Sequence, residues 1–256
     1  MITIFYFAVI LTLIAGFSSS LGGLISFSVK GPNLKVFSIL LGFSIGVMLY
    51  ISFVELIHRS IGICGILIAS IFFVVGIGVM YLFDFSISRK NNIKKSFIDG
   101  KIEKSDININ KTSILIILGV FTHKILEGMI IYIGLLHDYR LGLLLTFAIS
   151  LHNIPEGIAV SIPTYVSTKS KKKAFLCAFF TGISELLGTL IIGFVLYPFV
   201  NEFFLGAMLS IVAGIMIYIA IGELLPVSQR FGNEHLSIVG ILTGIVIIAL
   251  SLTFFQ

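Results

Sequence analysis

Long apolar runs are the feature that most limits how this chain can fold. Of its 256 residues, 57% are hydrophobic and only 11% are charged, a balance that soluble globular domains do not reach. A helix needs about 20 mostly apolar residues to cross the hydrocarbon core of a bilayer. We therefore predict an all-α integral membrane protein, one domain over residues 1–256, with eight transmembrane helices. The predicted spans are 2–27, 34–57, 61–85, 113–136, 141–163, 174–199, 203–225 and 236–255.

The positive charges between these spans predict the orientation of the chain. Alternate connections collect fourteen of the 17 lysines and arginines, whereas Arg59 and Arg140 fall on the other side and Lys124 lies inside the fourth span. Cytoplasmic loops of membrane proteins are rich in Lys and Arg. We expect a multi-pass cell-membrane protein with both termini outside and the polar loop 86–112 in the cytoplasm. The fourteen are Lys30, Lys35, Arg89, Lys90, Lys94, Lys95, Lys101, Lys104, Lys111, Lys169, Lys171, Lys172, Lys173 and Arg230.

Two polar strings interrupt the apolar pattern of the fourth and fifth spans. His123 and Glu127 form one pair, and His152 and Glu156 form the other, each with i,i+4 spacing that puts both side chains on one helix face. Each string lies about ten residues into its span, which is about 15 Å deep and near the bilayer midplane. Ionisable residues at that depth are expensive and are normally functional. Imidazole and carboxylate together suit Zn²⁺, Fe²⁺ or Mn²⁺.

Further polar residues extend this candidate site. Glu185 lies at mid-depth in the sixth span, and Asn153 follows His152 and can offer a carbonyl oxygen. Glu55 and Glu223 lie near opposite ends of the pathway, outer and inner respectively, where either could relay a metal. The alternative for Glu185 is an interhelical hydrogen-bond anchor. The alternative for Glu55 and Glu223 is an interfacial carboxylate near water.

The two halves of the chain also resemble each other. Because the matched spans run in opposite directions, the pattern predicts an inverted repeat of spans 1–3 and 6–8 around the central pair 4–5, an architecture used by secondary transporters. A shared glycine-rich packing pattern is the alternative. The matched segments are Gly46–Leu56 with Gly214–Leu224, Gly16–Gly22 with Gly182–Gly188, and Gly65–Leu67 with Gly240–Leu242.

Three segments of the chain resemble the signatures of ZIP metal transporters, and the likeness is strongest to the short bacterial zinc-uptake branch. They are His152–Val160, Gly42–Glu55 and Gly182–Gly188. The resemblance implies eight spans, metal import to the cytoplasm and a moving helix bundle that slides against a static one. It also implies a two-metal centre. In that scheme one metal is bound by His123, Glu127, His152, Glu156 and Met48, and the second by the residue after each histidine plus Glu185, with Glu127 and Glu156 bridging.

Lys124 departs from that family pattern, because the family usually has Asn or Asp there. With Glu127, Glu156 and Glu185 ionised, one lysine and one divalent metal bring the formal charge of the site to zero. A second metal would leave excess positive charge in a low-dielectric environment. We therefore expect Lys124 to replace the second metal and the site to be mononuclear. The opposing interpretation is that Lys124 points away from the site.

The predicted function is transport of a divalent transition metal into the cytoplasm, most simply Zn²⁺, with Fe²⁺, Mn²⁺ and Cd²⁺ left open. The metal is substrate, so no cofactor is expected, and the partners are the ion and the bilayer, with a homodimer left open. The net charge of +5 lies in loops and does not indicate nucleic acid. Two alternatives are an intramembrane metallohydrolase, although no His-Glu-x-x-His arrangement is present, and a proton-coupled carrier of a non-metal substrate.

Overall fold

Helix dominates the computed structural model, which describes residues 2–28, 34–91, 109–231 and 234–255. Within those ranges the chain forms eight long helices, numbered here in chain order, and no strand. They are α1, Ile2–Ser28; α2, Leu34–Tyr50 continued by Ile51–Leu56 and Ile57–Cys64; α3, Ile66–Asn91; α4, Ile109–His137; α5, Tyr139–Thr168; α6, Lys171–Ile191 continued by Ile192–Leu196 and Tyr197–Phe199; α7, Glu202–Tyr218 continued by Ile219–Leu224 and Leu225–Phe231; and α8, Glu234–Phe255.

These helices have the length and composition of membrane spans. Seven of them meet both criteria over the described residues, and α4, which contains the predicted fourth span, is 29 residues long. Large apolar side chains such as Leu67, Val74 and Leu82 of α3 are exposed, as a helix facing lipid requires. The prediction of an all-α membrane protein is therefore confirmed. Of the predicted loop 86–112, residues 92–108 lie outside the described residues.

The second span is longer than predicted. It was expected to end at Ile57, but α2 continues through His58 and Arg59 to Cys64. These polar residues fit on the helix because the Nε atom of Arg59 donates to Glu55 one turn earlier, at 2.9 Å. The turn comes instead at Gly65, whose φ of 79° lies in the left-handed region that favours glycine.

Side-chain caps stabilise the first turns of α5 and α7. Asp138 accepts a hydrogen bond from the backbone N–H of Arg140 at the start of α5, and Asn201 accepts one from Phe204 at the start of α7. Such caps satisfy N–H groups that have no partner within the helix. The α4–α5 connection is therefore a tight hairpin, and it holds the two His/Glu strings side by side.

Packing divides the helices into two bundles. α1, α4, α5 and α6 pack mainly on one another, while α2 packs on α8 and α3 packs on α7. Glycines allow the closest approaches, because a Cβ at these positions would collide with the facing backbone. Gly214 on α7, for example, lies against the carbonyl of Phe73 on α3. Small residues at the interface are the usual means of close packing in a bilayer.

The glycine contacts also occur at corresponding positions in the two halves of the chain. Gly16 and Gly182 lie against each other's carbonyls, at the crossing of α1 and α6. The other pairs of glycine and facing residue are Gly22 on Ile154 with Gly188 on Ile125, Gly46 on Ile241 with Gly214 on Phe73, and Gly76 on Ile211 with Gly244 on Phe43. This correspondence supports the predicted repeat for the first two matched segment pairs. It does not fit the third, because the counterpart of Gly240 would then lie well inside α3 rather than at Gly65.

Glycine substitution tests this packing. We expect Gly214→Ala to lower stability by about 1–3 kcal/mol, since the added methyl group meets the backbone of Phe73. Gly78→Ala on α3 is the matched control, because a Cβ there meets nothing within 4 Å, and alanine should be neutral or slightly stabilising in a helix. Thermal melting of the two purified variants in detergent makes the comparison, and equal melting temperatures would contradict the packing described.

Candidate metal centre

The two His/Glu strings meet where α4 and α5 face each other. His123, Glu127 and Glu156 each offer a ligand atom within 4.8 Å of the others. The Nδ1 atom of His152 lies 3.5 Å from Oε1 of Glu156, and its Nε2 atom lies 3.9 Å from Oε1 of Glu127. All four side chains are buried. The sequence spacing therefore predicted correctly which faces of the two helices come together.

A glycine follows each glutamate, and each of these glycines lets another helix approach the group. Gly128 lies against the carbonyl of Glu185 on α6, and Gly157 lies against the carbonyl of Ser19 on α1. The hydroxyl of Thr189 on α6 also donates to the carbonyl of Gly128, at 3.0 Å. These contacts place Glu185 beside the four ligand-type side chains. Sequence reasoning missed the role of the two glycines, although both strings end in Glu-Gly.

Lys124 points into the site and is fully buried. Its Nζ atom lies 2.7 Å from Oε2 of Glu127, 2.6 Å from Oε2 of Glu156 and 3.4 Å from Oε1 of Glu185. It also donates to Oδ1 of Asn153. The alternative in which this lysine points away is therefore wrong. The ammonium group lies between the two glutamates that the family scheme uses as bridges.

Asn153 accepts a hydrogen bond from this ammonium group and donates to two acceptors. Its Nδ2 atom donates to the carbonyl of Ala15 on α1 at 2.8 Å and to Oε1 of Glu185 at 2.6 Å. The amide thus joins α1, α4, α5 and α6 at one level of the membrane. Because its oxygen faces Lys124, that oxygen is not directed at the imidazoles.

Several buried polar atoms near Lys124 are left without a hydrogen-bond partner among the described residues. They include both ring nitrogens of His123 and of His152, and the Oε1 atoms of Glu127 and Glu156. A buried polar atom left unpaired costs about 1–3 kcal/mol. These six nitrogen and oxygen atoms are of the kind that divalent transition metals accept as ligands.

The remaining predicted residues lie on α2 and α7. Met48 is fully buried in the apolar core of α2. Ser44, one turn earlier, donates to the carbonyl of His152 at 3.3 Å, so this face of α2 runs beside α5. Glu55 and Glu223 lie instead in the π-helical segments Ile51–Leu56 and Ile219–Leu224. Such segments often mark functional positions.

Comparison with known proteins places the chain in a family. The family described as ZIP Zinc transporter matches residues 86–252. The chain belongs to the ZIP family. A protein named zinc transporter ZupT from Clostridium perfringens is 36% identical over 97% of this chain and 95% of its own length. Proteins of the same name from Chlorobium luteolum and Streptococcus mutans are 37% and 36% identical, each over 97% of both chains.

ZIP membership settles two of the earlier expectations. The prediction of a transporter rather than an enzyme is confirmed, which removes the metallohydrolase alternative. The membership also supports the expectation that no resident cofactor is needed, because ZIP proteins carry their metal as substrate.

Replacing the buried ammonium should destabilise the protein. We expect Lys124→Met to lower stability by about 3–5 kcal/mol in the absence of metal, because three buried carboxylates lose their shared cation. Lys172→Met removes an exposed lysine and should change stability by less than about 0.5 kcal/mol. Melting in a metal chelator compares them, and a Lys124→Met variant as stable as the control would contradict the role of the ammonium.

Proposed function

We propose that this ZIP protein moves a divalent transition metal, most simply Zn²⁺, into the cytoplasm through the site between α4 and α5. The observation that carries the proposal is the convergence of unpartnered imidazole and carboxylate atoms of His123, Glu127, His152 and Glu156. The relatives that match nearly the whole chain are named zinc transporters. Fe²⁺, Mn²⁺ and Cd²⁺ fit the same ligand atoms.

The proposed site holds a single metal. Lys124 takes up the inward Oε2 atoms of Glu127 and Glu156, which a second metal would need as bridges. The Oε1 atoms of the same two residues stay available, together with the imidazoles. Three carboxylates, one ammonium and one divalent metal sum to zero formal charge. A near-neutral loaded site is the least costly one to carry through a low-dielectric environment.

The roles of the neighbouring residues follow from this arrangement. Asn153 and Glu185 hold the ammonium in place rather than the metal, because Asn153 contacts both Lys124 and Glu185. Met48 offers a thioether from α2, one turn beyond the contact between Ser44 and His152. Glu55 and Glu223 serve as acidic stations near the outer and inner ends of the path.

We propose the orientation that the loop charges predict, with both termini outside and the segment 86–112 in the cytoplasm. The grouping of helix ends supports it. Arg59 lies 3.8 Å from Asp138, so the only two predicted outer cations, Arg59 and Arg140, belong to one end of the bundle. At the other end Leu41 packs with Ile158. A homodimer stays a prediction.

A proton-coupled carrier that binds no metal is the remaining alternative. The two interpretations differ in what metal does to the folded protein. A ligand bound only by the native state stabilises it by about 2.7 kcal/mol at a hundredfold excess over its dissociation constant. Zn²⁺ should therefore raise the melting temperature of the wild-type protein, and most of this shift should be lost in His152→Ala.

Transport itself is measured in proteoliposomes. We expect the wild-type protein to take up Zn²⁺ and both His152→Ala and Glu156→Ala to fall to the level of empty liposomes, because each removes a ligand atom. His235→Ala is the matched control, since this histidine is exposed at the start of α8. Absence of metal flux in the wild-type protein, or full flux in the two site variants, would refute the proposal.

Metal counting tests the single-metal arrangement. We expect one tightly held Zn²⁺ per chain after desalting, measured by elemental analysis. Lys124→Asn should add a second, because it removes the ammonium and supplies a carbonyl oxygen beside Glu127 and Glu156. Lys172→Asn should leave the count unchanged. Two tightly held metals per chain with Lys124 in place would show that the ammonium does not exclude the second ion.

A further inference from the structure

His58 and His137, which are not part of the central site, line one depression at one end of the helix bundle. The depression lies between the end of α2 and the α4–α5 hairpin. Both histidines are exposed and line it, one from each of the two helix bundles. Its lining is Glu55, His58, Arg59, Gly62, Ile63 and His137.

Arg59 ties the two sides of this depression together. Its Nε atom lies 2.9 Å from Oε2 of Glu55 on its own helix, and its Nη1 atom lies 3.8 Å from Oδ2 of Asp138 in the hairpin. Two carboxylates share this single guanidinium, which leaves one formal negative charge. A dication can therefore compete for these carboxylates, and Arg59 is the cation that it must replace.

The ligand types match a divalent transition metal better than another cation. Imidazole nitrogen from two different helices, with carboxylate oxygen beside it, is a donor set for Zn²⁺ or Co²⁺. Na⁺ and Mg²⁺ favour oxygen ligands, and a large organic cation would not need two imidazoles.

We propose that this depression is a second, weaker metal site, in which His58 and His137 bind a divalent transition metal together with a carboxylate released by Arg59. The site captures metal at the mouth of the protein. Its capture role rests on the transport function proposed above, but its metal binding does not. Arg59 acts as a tethered cation that keeps the carboxylates compensated when the site is empty and leaves when metal binds.

The binding test removes the central site first. In the full-length His152→Ala/Glu156→Ala protein, purified in detergent, we expect Co²⁺ titration to show one bound ion by its visible absorption. Adding His58→Ala or His137→Ala should weaken this binding at least about tenfold, since each removes a ligand. His235→Ala is the matched histidine control and should change nothing. Absence of Co²⁺ binding in the background, or binding that survives loss of both histidines, would overturn the proposal.

The charge at position 59 gives a second, independent readout. We expect Arg59→Gln to tighten Co²⁺ binding in the same background by about three- to tenfold, because the competing cation is gone, while Arg59→Lys stays near the wild-type affinity. Weaker binding in Arg59→Gln would overturn the exchange of Arg59 for metal. In the intact central-site protein, loss of both histidines should raise KM for uptake with the maximal rate unchanged. Outer binding without any uptake would refute the transport proposal and leave this site standing.

Discussion

The buried ammonium of Lys124 is the interaction on which the centre of this protein depends. Three carboxylates on α4, α5 and α6 converge on it in the middle of a membrane domain. Without a cation, such a cluster would have to take up protons or metal, since isolated buried charges are very costly. Because the lysine is part of the chain, the compensation is present whether or not metal is bound. In the proposed mechanism the imidazoles are then left for the metal.

This convergence requires helices that approach almost to backbone contact. Gly128 and Gly157, each next to a glutamate of the site, allow α6 and α1 to come within reach. A larger residue at Gly128 would push Glu185 away from Lys124, and one at Gly157 would push Ala15 of α1 away from Asn153. The charge cluster therefore depends on the close packing, because the same turns of α4 and α5 supply both the ligand-type side chains and the surface that α6 and α1 contact.

Local pattern was sufficient to predict an all-α membrane protein and to put the histidine and glutamate of each string on one helix face, since both follow from apolar length and helix periodicity. It could not decide the direction of Lys124, because that depends on carboxylates from helices distant in sequence. It also ended the second span at Ile57, since His58 and Arg59 look like loop residues until the ion pair with Glu55 is known. The π-helical segments left no signal in the apolar sequence.

Solvent distinguishes the two tethered cations of this protein. Arg59 is partly exposed and pairs with Glu55 and Asp138 in water, where such pairs contribute only about 0–1 kcal/mol. In the site proposed at the mouth a metal ion replaces Arg59 at small cost, because the released guanidinium is rehydrated. Lys124 has no water to enter, and its displacement would leave carboxylates uncompensated at about 3–5 kcal/mol. The two proposals therefore give the tethered cations different roles, an exchangeable one at the mouth and a permanent one at the centre, as capture followed by transport of a single ion requires.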